Sequence, residues 1–122
     1  MPLASKFDLI AFDVDGTLVD DTVFVWKTLH DYFGSDPLVV EKAFEMYMGG
    51  RLSYREWFDH DIKLFREKGA TRAMILDAIK NMKLFKGARE TLETLGKTGA
   101  RLIIISGSLN LVAEKFDLPN YF

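Results

Sequence analysis

Two aspartates, Asp13 and Asp15, stand two positions apart in the stretch FDVDGTLV, directly after the apolar run Phe7 to Phe12. A carboxylate at the C-terminal end of a parallel strand faces the crevice in which such sheets bind ligands. From there Asp13 could attack phosphorus and form an aspartyl-phosphate, a recognised covalent strategy. Asp15 could first protonate the leaving oxygen and later deprotonate the hydrolytic water. A phosphoryl group is densely anionic, so a carboxylate nucleophile needs a cation beside it. Mg²⁺ suits that task, being hard, oxygen-seeking and able to keep several waters. Gly16 would let the backbone turn away sharply, and Thr17 could hydrogen-bond the loop. The competing reading is a polar turn, since Asp-Gly pairs mark turns. DxDGT[LV] after an apolar strand is far more restrictive than a bare Asp-x-Asp.

The elements that would position these residues follow from periodicity. Phe7 to Phe12 (FDLIAF) suits a buried parallel strand. From Thr22 the period becomes helical, with Val25, Trp26, Leu29, Tyr32 and Phe33 recurring up to Gly34. Pro37 opens a second helix carrying Val40, Ala43, Phe44, Tyr47 and Met48, closed by Gly49-Gly50. Ser53 and Glu56 form a capping box for a third, running to about Lys68. A fourth spans roughly Thr71 to Met82. Leu84-Phe85-Lys86-Gly87 leads to a helix from Ala88 to Lys97. The run Leu102 to Ile105 is the strongest strand, followed by the turn Ser106-Gly107-Ser108 and a last helix from Leu109 that Pro119 stops. Met46, Met48, Met74 and Met82 fall on apolar stripes and are expected in the core. His30 and His60 are read as surface residues on polar helix faces.

FDVDGTLV resembles the first signature of the haloacid dehalogenase-like phosphohydrolases. The resemblance implies Asp13 as nucleophile and first metal ligand, and Asp15 as acid/base whose main-chain carbonyl also touches Mg²⁺. Ser106, after LIII, matches the second signature, which with the Gly107 amide would hold the phosphoryl group. The four inserted helices, including GGRLSYREW, are similar to the helical cap of the phosphoserine-phosphatase-like branch. The implied fold is an α/β, Rossmann-like three-layer core, incomplete, with an inserted four-helix cap. Its parts are core at 1–21, cap at 22–83 and core again at 84–122. The implied activity is Mg²⁺-dependent hydrolysis of a small phosphorylated metabolite. A phosphomutase using the same Asp pair and a non-catalytic interaction module are the alternatives.

Two departures from that pattern stand out. Relatives that cleave phosphoserine carry a Glu soon after the first signature and an Arg on the third cap helix, where this chain has Thr22 and Asp61. An Asp there would repel a substrate carboxylate. Asp61 also interrupts the apolar stripe Tyr54, Trp57, Phe58, Leu64 and Phe65, where it needs a partner or a cleft. It could pair with a protein cation or meet an amine-bearing substrate among those aromatic rings. The second departure is the lack of a candidate for the third-signature Lys or the later acidic pair. Lys115 and Asp117 are poor substitutes. The sequence is therefore expected to be the N-terminal portion of a larger phosphatase, with little activity alone, or a piece whose sheet another chain or an oligomer completes.

Composition narrows the partners. The 122 residues are 48% hydrophobic and 28% charged, with a net charge of -2 and no basic stripe, so nucleic acid is not an expected ligand. The absence of cysteine removes thiol chemistry and fits a cytoplasmic setting. No sustained apolar segment suggests a membrane span or a secretory signal.

Overall fold

The computed structural model describes residues 6–20 and 24–122. The chain forms two compact units, Met1–Trp26 with Ile79–Phe122, and Lys27–Ala78 between them.

In the first unit, strand β1 (Leu9–Phe12) pairs in parallel with a strand from the far end of the chain, Arg101–Ile104. The register sets Leu9 opposite Arg101 and Phe12 opposite Ile104, and the Ile105 N–H donates to the Phe12 carbonyl at 2.9 Å. Two parallel strands so distant in sequence need a long crossover. Two short segments that periodicity did not reveal, β2 (Val19–Asp20) and β3 (Lys83–Leu84), pair antiparallel. They clasp the chain where it leaves this unit and where it returns, helped by the Phe85 N–H on the Leu18 carbonyl at 2.8 Å. Gly87, at φ 87°, supplies a left-handed entry that a side chain would strain, and helix Ala88–Gly96 follows. After the Arg101–Ile104 strand come the helix Asn110–Lys115 and a 3₁₀ turn, Leu118–Tyr121, with proline in its first turn. Val14, Leu18, Val19, Leu92, Leu102, Val112 and Leu118 form the buried apolar core.

The sheet faces are less covered than an FDLIAF run suggests. Leu9 is 52% exposed and Ile105 68%. Among the described residues the sheet has only two strands, too few to hide both faces.

In chain order the helices are α1 (Val25–Phe33), α2 (Pro37–Met48), α3 (Tyr54–Glu67), α4 (Arg72–Ala78), α5 (Ala88–Gly96) and α6 (Asn110–Lys115), and the Arg101–Ile104 strand is β4. The second unit holds the greater part of α1 together with α2, α3 and α4. Both local signals read from sequence are present: Pro37 opens α2, and Ser53 and Glu56 make a reciprocal capping box on α3. The Phe65 ring lies 5.3 Å from Phe33 and 4.8 Å from His30, while Trp57 stacks on Tyr47 at 4.5 Å. Three expectations need correction. Helix α4 ends at Ala78, because the chain turns before Met82, whose N–H bonds the Ile79 carbonyl. Met48 is 67% exposed, the stripe of α2 running past its cover at the last turn. His30 is buried, since it shares the face of Trp26, Leu29 and Phe33. No helix among the described residues is long and apolar enough to cross a membrane.

The architecture is thus α/β, a Rossmann-like core with an inserted helical cap.

Candidate active site

The parallel pairing of β1 and β4 brings together the loops that follow both strands. Asp13 follows β1 at once, and Ser106 lies two residues beyond β4. Ser106 Oγ donates to Asp13 Oδ1 at 2.8 Å across 93 residues of sequence. The same carboxylate oxygen accepts from the Val14 N–H at 2.6 Å. The loop after Asp13 is tight. Val14 is buried, its carbonyl accepts from Thr17, Leu18 and Val19, and Gly16 takes φ 74°. That left-handed turn is the reason a glycine follows Asp15.

Asp15 is held from two directions. Its Oδ1 accepts from Ser108 Oγ at 2.8 Å and its Oδ2 from the Val25 N–H at 2.8 Å. Val25 is the first residue of α1, where backbone donors lack intrahelical partners. The indole N–H of Trp26 donates to the Gly107 carbonyl at 3.0 Å, and the Ser108 N–H donates to Ser106 Oγ at 3.0 Å. The Ser106–Ser108 turn therefore contacts both aspartates and the start of α1. Asp13 is exposed and Asp15 half-buried, so Asp13 is open to a ligand.

The donor set can be tested for a cation. The groups are all oxygens, as a hard ion requires. Among the described residues, hydrogen bonds occupy both oxygens of Asp15 but only Oδ1 of Asp13. Asp13 Oδ2 and the main-chain carbonyl of Asp15 are the donors that fit Mg²⁺, which commonly binds one or two carboxylates and keeps waters. No group of three or more His, Cys, Asp or Glu able to hold a metal occurs among the described residues. Nor does any salt bridge reach Asp13 or Asp15 among them. Lys115 is engaged elsewhere, donating to the Lys80 carbonyl at 3.2 Å and lying over the Phe116 ring. Asp117 is exposed at φ 54°, after α6.

The remaining expected residues lie apart from this cluster in sequence. Thr22 is outside the described residues. Asp61 is 5% exposed in the helical unit. Its Oδ2 meets His30 Nε2 at 3.0 Å and its Oδ1 meets His60 Nδ1 at 2.9 Å. His30 Nδ1 in turn lies 2.9 Å from Ser35 Oγ. Burial alone would raise the Asp61 carboxyl pKa, but the hydrogen bonds and charge of the two histidines bring it below the ordinary aspartate value. Its partners are thus protein imidazoles. Sequence reading missed Ser108, Trp26 and His30. The first could have been found from spacing, since Ser-x-Ser repeats the step of Asp-x-Asp.

The haloacid dehalogenase-like hydrolase pattern matches residues 7–122. The chain belongs to that family. Among similar proteins, a phosphoserine phosphatase of Archaeoglobus fulgidus is 25% identical over 107 residues, covering 88% of this chain and 30% of that protein. Phosphoserine phosphatase SerB2 of Mycobacterium tuberculosis is 32% identical over 106 residues, covering 87% of this chain and 25% of its own length. A family hydrolase from Salmonella enterica serovar Typhi superposes with TM-score 0.72 at 23% identity, over 98% of this chain and 39% of that one. A phosphoserine phosphatase structure carrying a phospho-aspartyl intermediate analogue gives TM-score 0.61 at 26% identity, over 93% and 54%. The chain thus spans between a quarter and a third of the curated relatives and about half or less of these two structures.

Proposed function

We propose that this chain carries phosphoryl-transfer chemistry on small phosphomonoesters, with Asp13 as the nucleophile. The observation that supports it best is the meeting of Asp13, Asp15 and the Ser106–Ser108 turn at the ends of paired strands. Asp13 attacks phosphorus and displaces the alkoxide. Asp15 gives that oxygen a proton and later takes one from the incoming water. Ser106 Oγ, whose hydroxyl can rotate from Asp13 to a ligand, and the Gly107 N–H bind the phosphoryl oxygens. Asp13 and the Asp15 carbonyl would hold Mg²⁺, which when bound offsets the negative charge of phosphoryl group and nucleophile. With no lysine or third acid at the site among the described residues, turnover by these residues is slow.

The substrate's remaining part differs from that of phosphoserine in this reading. Asp61 replaces the arginine expected opposite a substrate carboxylate, and its oxygens are taken by His30 and His60. Asp61 is a specificity position in this reading, with the partly exposed His60 beside it. Thr22 is a second specificity position in this reading. The test is turnover of p-nitrophenyl phosphate with Mg²⁺, which Asp13→Asn must abolish. A variant as active as the parent chain would remove the proposal.

A further inference from the structure

Asp15 has a second layer of control that its role as proton shuttle does not itself demand. A carboxylate that must face first a leaving oxygen and then a water works best in one orientation, since small misplacements are costly in rate. A free aspartate rotates about two side-chain bonds. Here each oxygen is fixed by a different element, Oδ1 by Ser108 Oγ and Oδ2 by the Val25 N–H, both at 2.8 Å. One bond per oxygen still leaves a lone pair on each to receive a proton.

The donors are themselves anchored. Val25 is fully buried and Trp26 is 5% exposed, and the Trp26 indole N–H holds the Gly107 carbonyl at 3.0 Å. The Ser108 N–H rests on Ser106 Oγ. The pairing of β1 with β4 brings the two following loops together, and Ser106 to Asp13 and Ser108 to Asp15 are both contacts across 93 residues.

We infer that Ser108 is a positioning residue for Asp15, locking the carboxylate between β4's loop and the start of α1. The inference rests on the phosphoryl-transfer reading for its consequence in catalysis, but not for the lock itself. Glycine or alanine at 108 could complete the turn without supplying the hydroxyl, whereas threonine keeps it.

The test uses the whole chain and two independent readouts. The first is amide hydrogen exchange at Val25, followed by NMR. The Val25 N–H belongs to the orphan donors of a helix start, so protection there reports its bond to Asp15. In the unaltered chain Val25 is expected to be protected. Ser108→Ala should speed its exchange by about tenfold or more, and Ser108→Thr should restore it. The second readout is turnover of alkyl and aryl phosphates. Ser108→Ala should lower kcat by roughly 10- to 100-fold with KM unchanged, more on the alkyl ester, whose poor leaving group needs the proton. An unprotected Val25 in the unaltered chain, or exchange unchanged in folded Ser108→Ala, overturns the inference. So does a folded Ser108→Thr that fails to restore Val25 protection. Should alanine not fold, Ser108→Gly is read in its place, and an unprotected Val25 in the unaltered chain overturns the inference without any variant. Absence of turnover in the unaltered chain would defeat the functional reading while leaving the Val25 measurement to decide the lock.

Discussion

Ser106 Oγ lies 2.8 Å from Asp13 Oδ1, although 93 residues separate them in sequence. The contact exists because β1 and β4 pair in parallel, delivering the loop after each strand to the same end of the sheet. It joins a nucleophile candidate to a hydroxyl that can hold the group under attack.

That relationship makes Ser106 separable from the fold. Ser106→Ala removes the donor to Asp13 and the acceptor of the Ser108 N–H from a half-buried turn, and leaves β4 intact. Turnover of an aryl phosphate should fall by about 10²- to 10³-fold, the usual range for losing one preorganised donor. Circular dichroism should remain that of the parent chain. A variant with undiminished turnover would remove Ser106 from the phosphoryl site.

Asp61 gives a pH-dependent prediction. Its carboxyl is held below the ordinary aspartate value when folded. The group therefore contributes stability above the unfolded value of about 3.9, and that contribution is lost as pH falls through the lower folded value. Asp61→Asn should cost about 1–3 kcal/mol in urea unfolding near neutral pH, because an acceptor for two imidazoles is weakened. The difference between the two chains should shrink progressively in acid, below about pH 4. A gap that is constant across this range would show that Asp61 is not the linked group.

The α3 cap offers a purely structural check. Ser53 Oγ accepts from the Glu56 N–H at 3.1 Å, and the Ser53 N–H donates to Glu56 Oε1 at 3.0 Å. Ser53→Ala should destabilise the helical unit by about 0.5–2 kcal/mol. Thermal unfolding followed by circular dichroism measures this, and no change would mean that α3 begins without help from its cap.

What the sequence revealed depended on the length scale of each signal. The Leu102 to Ile105 run and the capping box are local patterns with a physical cause, and both could be read directly. The β2–β3 clasp has two residues per strand, too few for any periodicity, and its stability comes from pairing across the insertion. His30 was misread by residue type, although its phase with Trp26, Leu29 and Phe33 places it on the buried face of α1. Asp61 interrupts an apolar stripe, which marks it as needing a partner or a cleft, but of its two partners only His60 is adjacent, and His30 is 31 residues away on another helix and invisible to helical spacing. At the candidate site, Asp13, Asp15 and Ser106 are marked by motif. Ser108 is not, because the match of Ser-x-Ser spacing to Asp-x-Asp gains meaning only once β1 and β4 pair and the turn meets Asp15.

The most direct measurement is to locate the phosphoryl group. The chain would be mixed with p-nitrophenyl phosphate and Mg²⁺, quenched in acid at short times and analysed by peptide mass spectrometry. The account predicts one adduct, on Asp13, that requires Mg²⁺ and is absent from Asp13→Asn. An adduct on another residue, no adduct at any time, or hydrolysis that survives Asp13→Asn would contradict it.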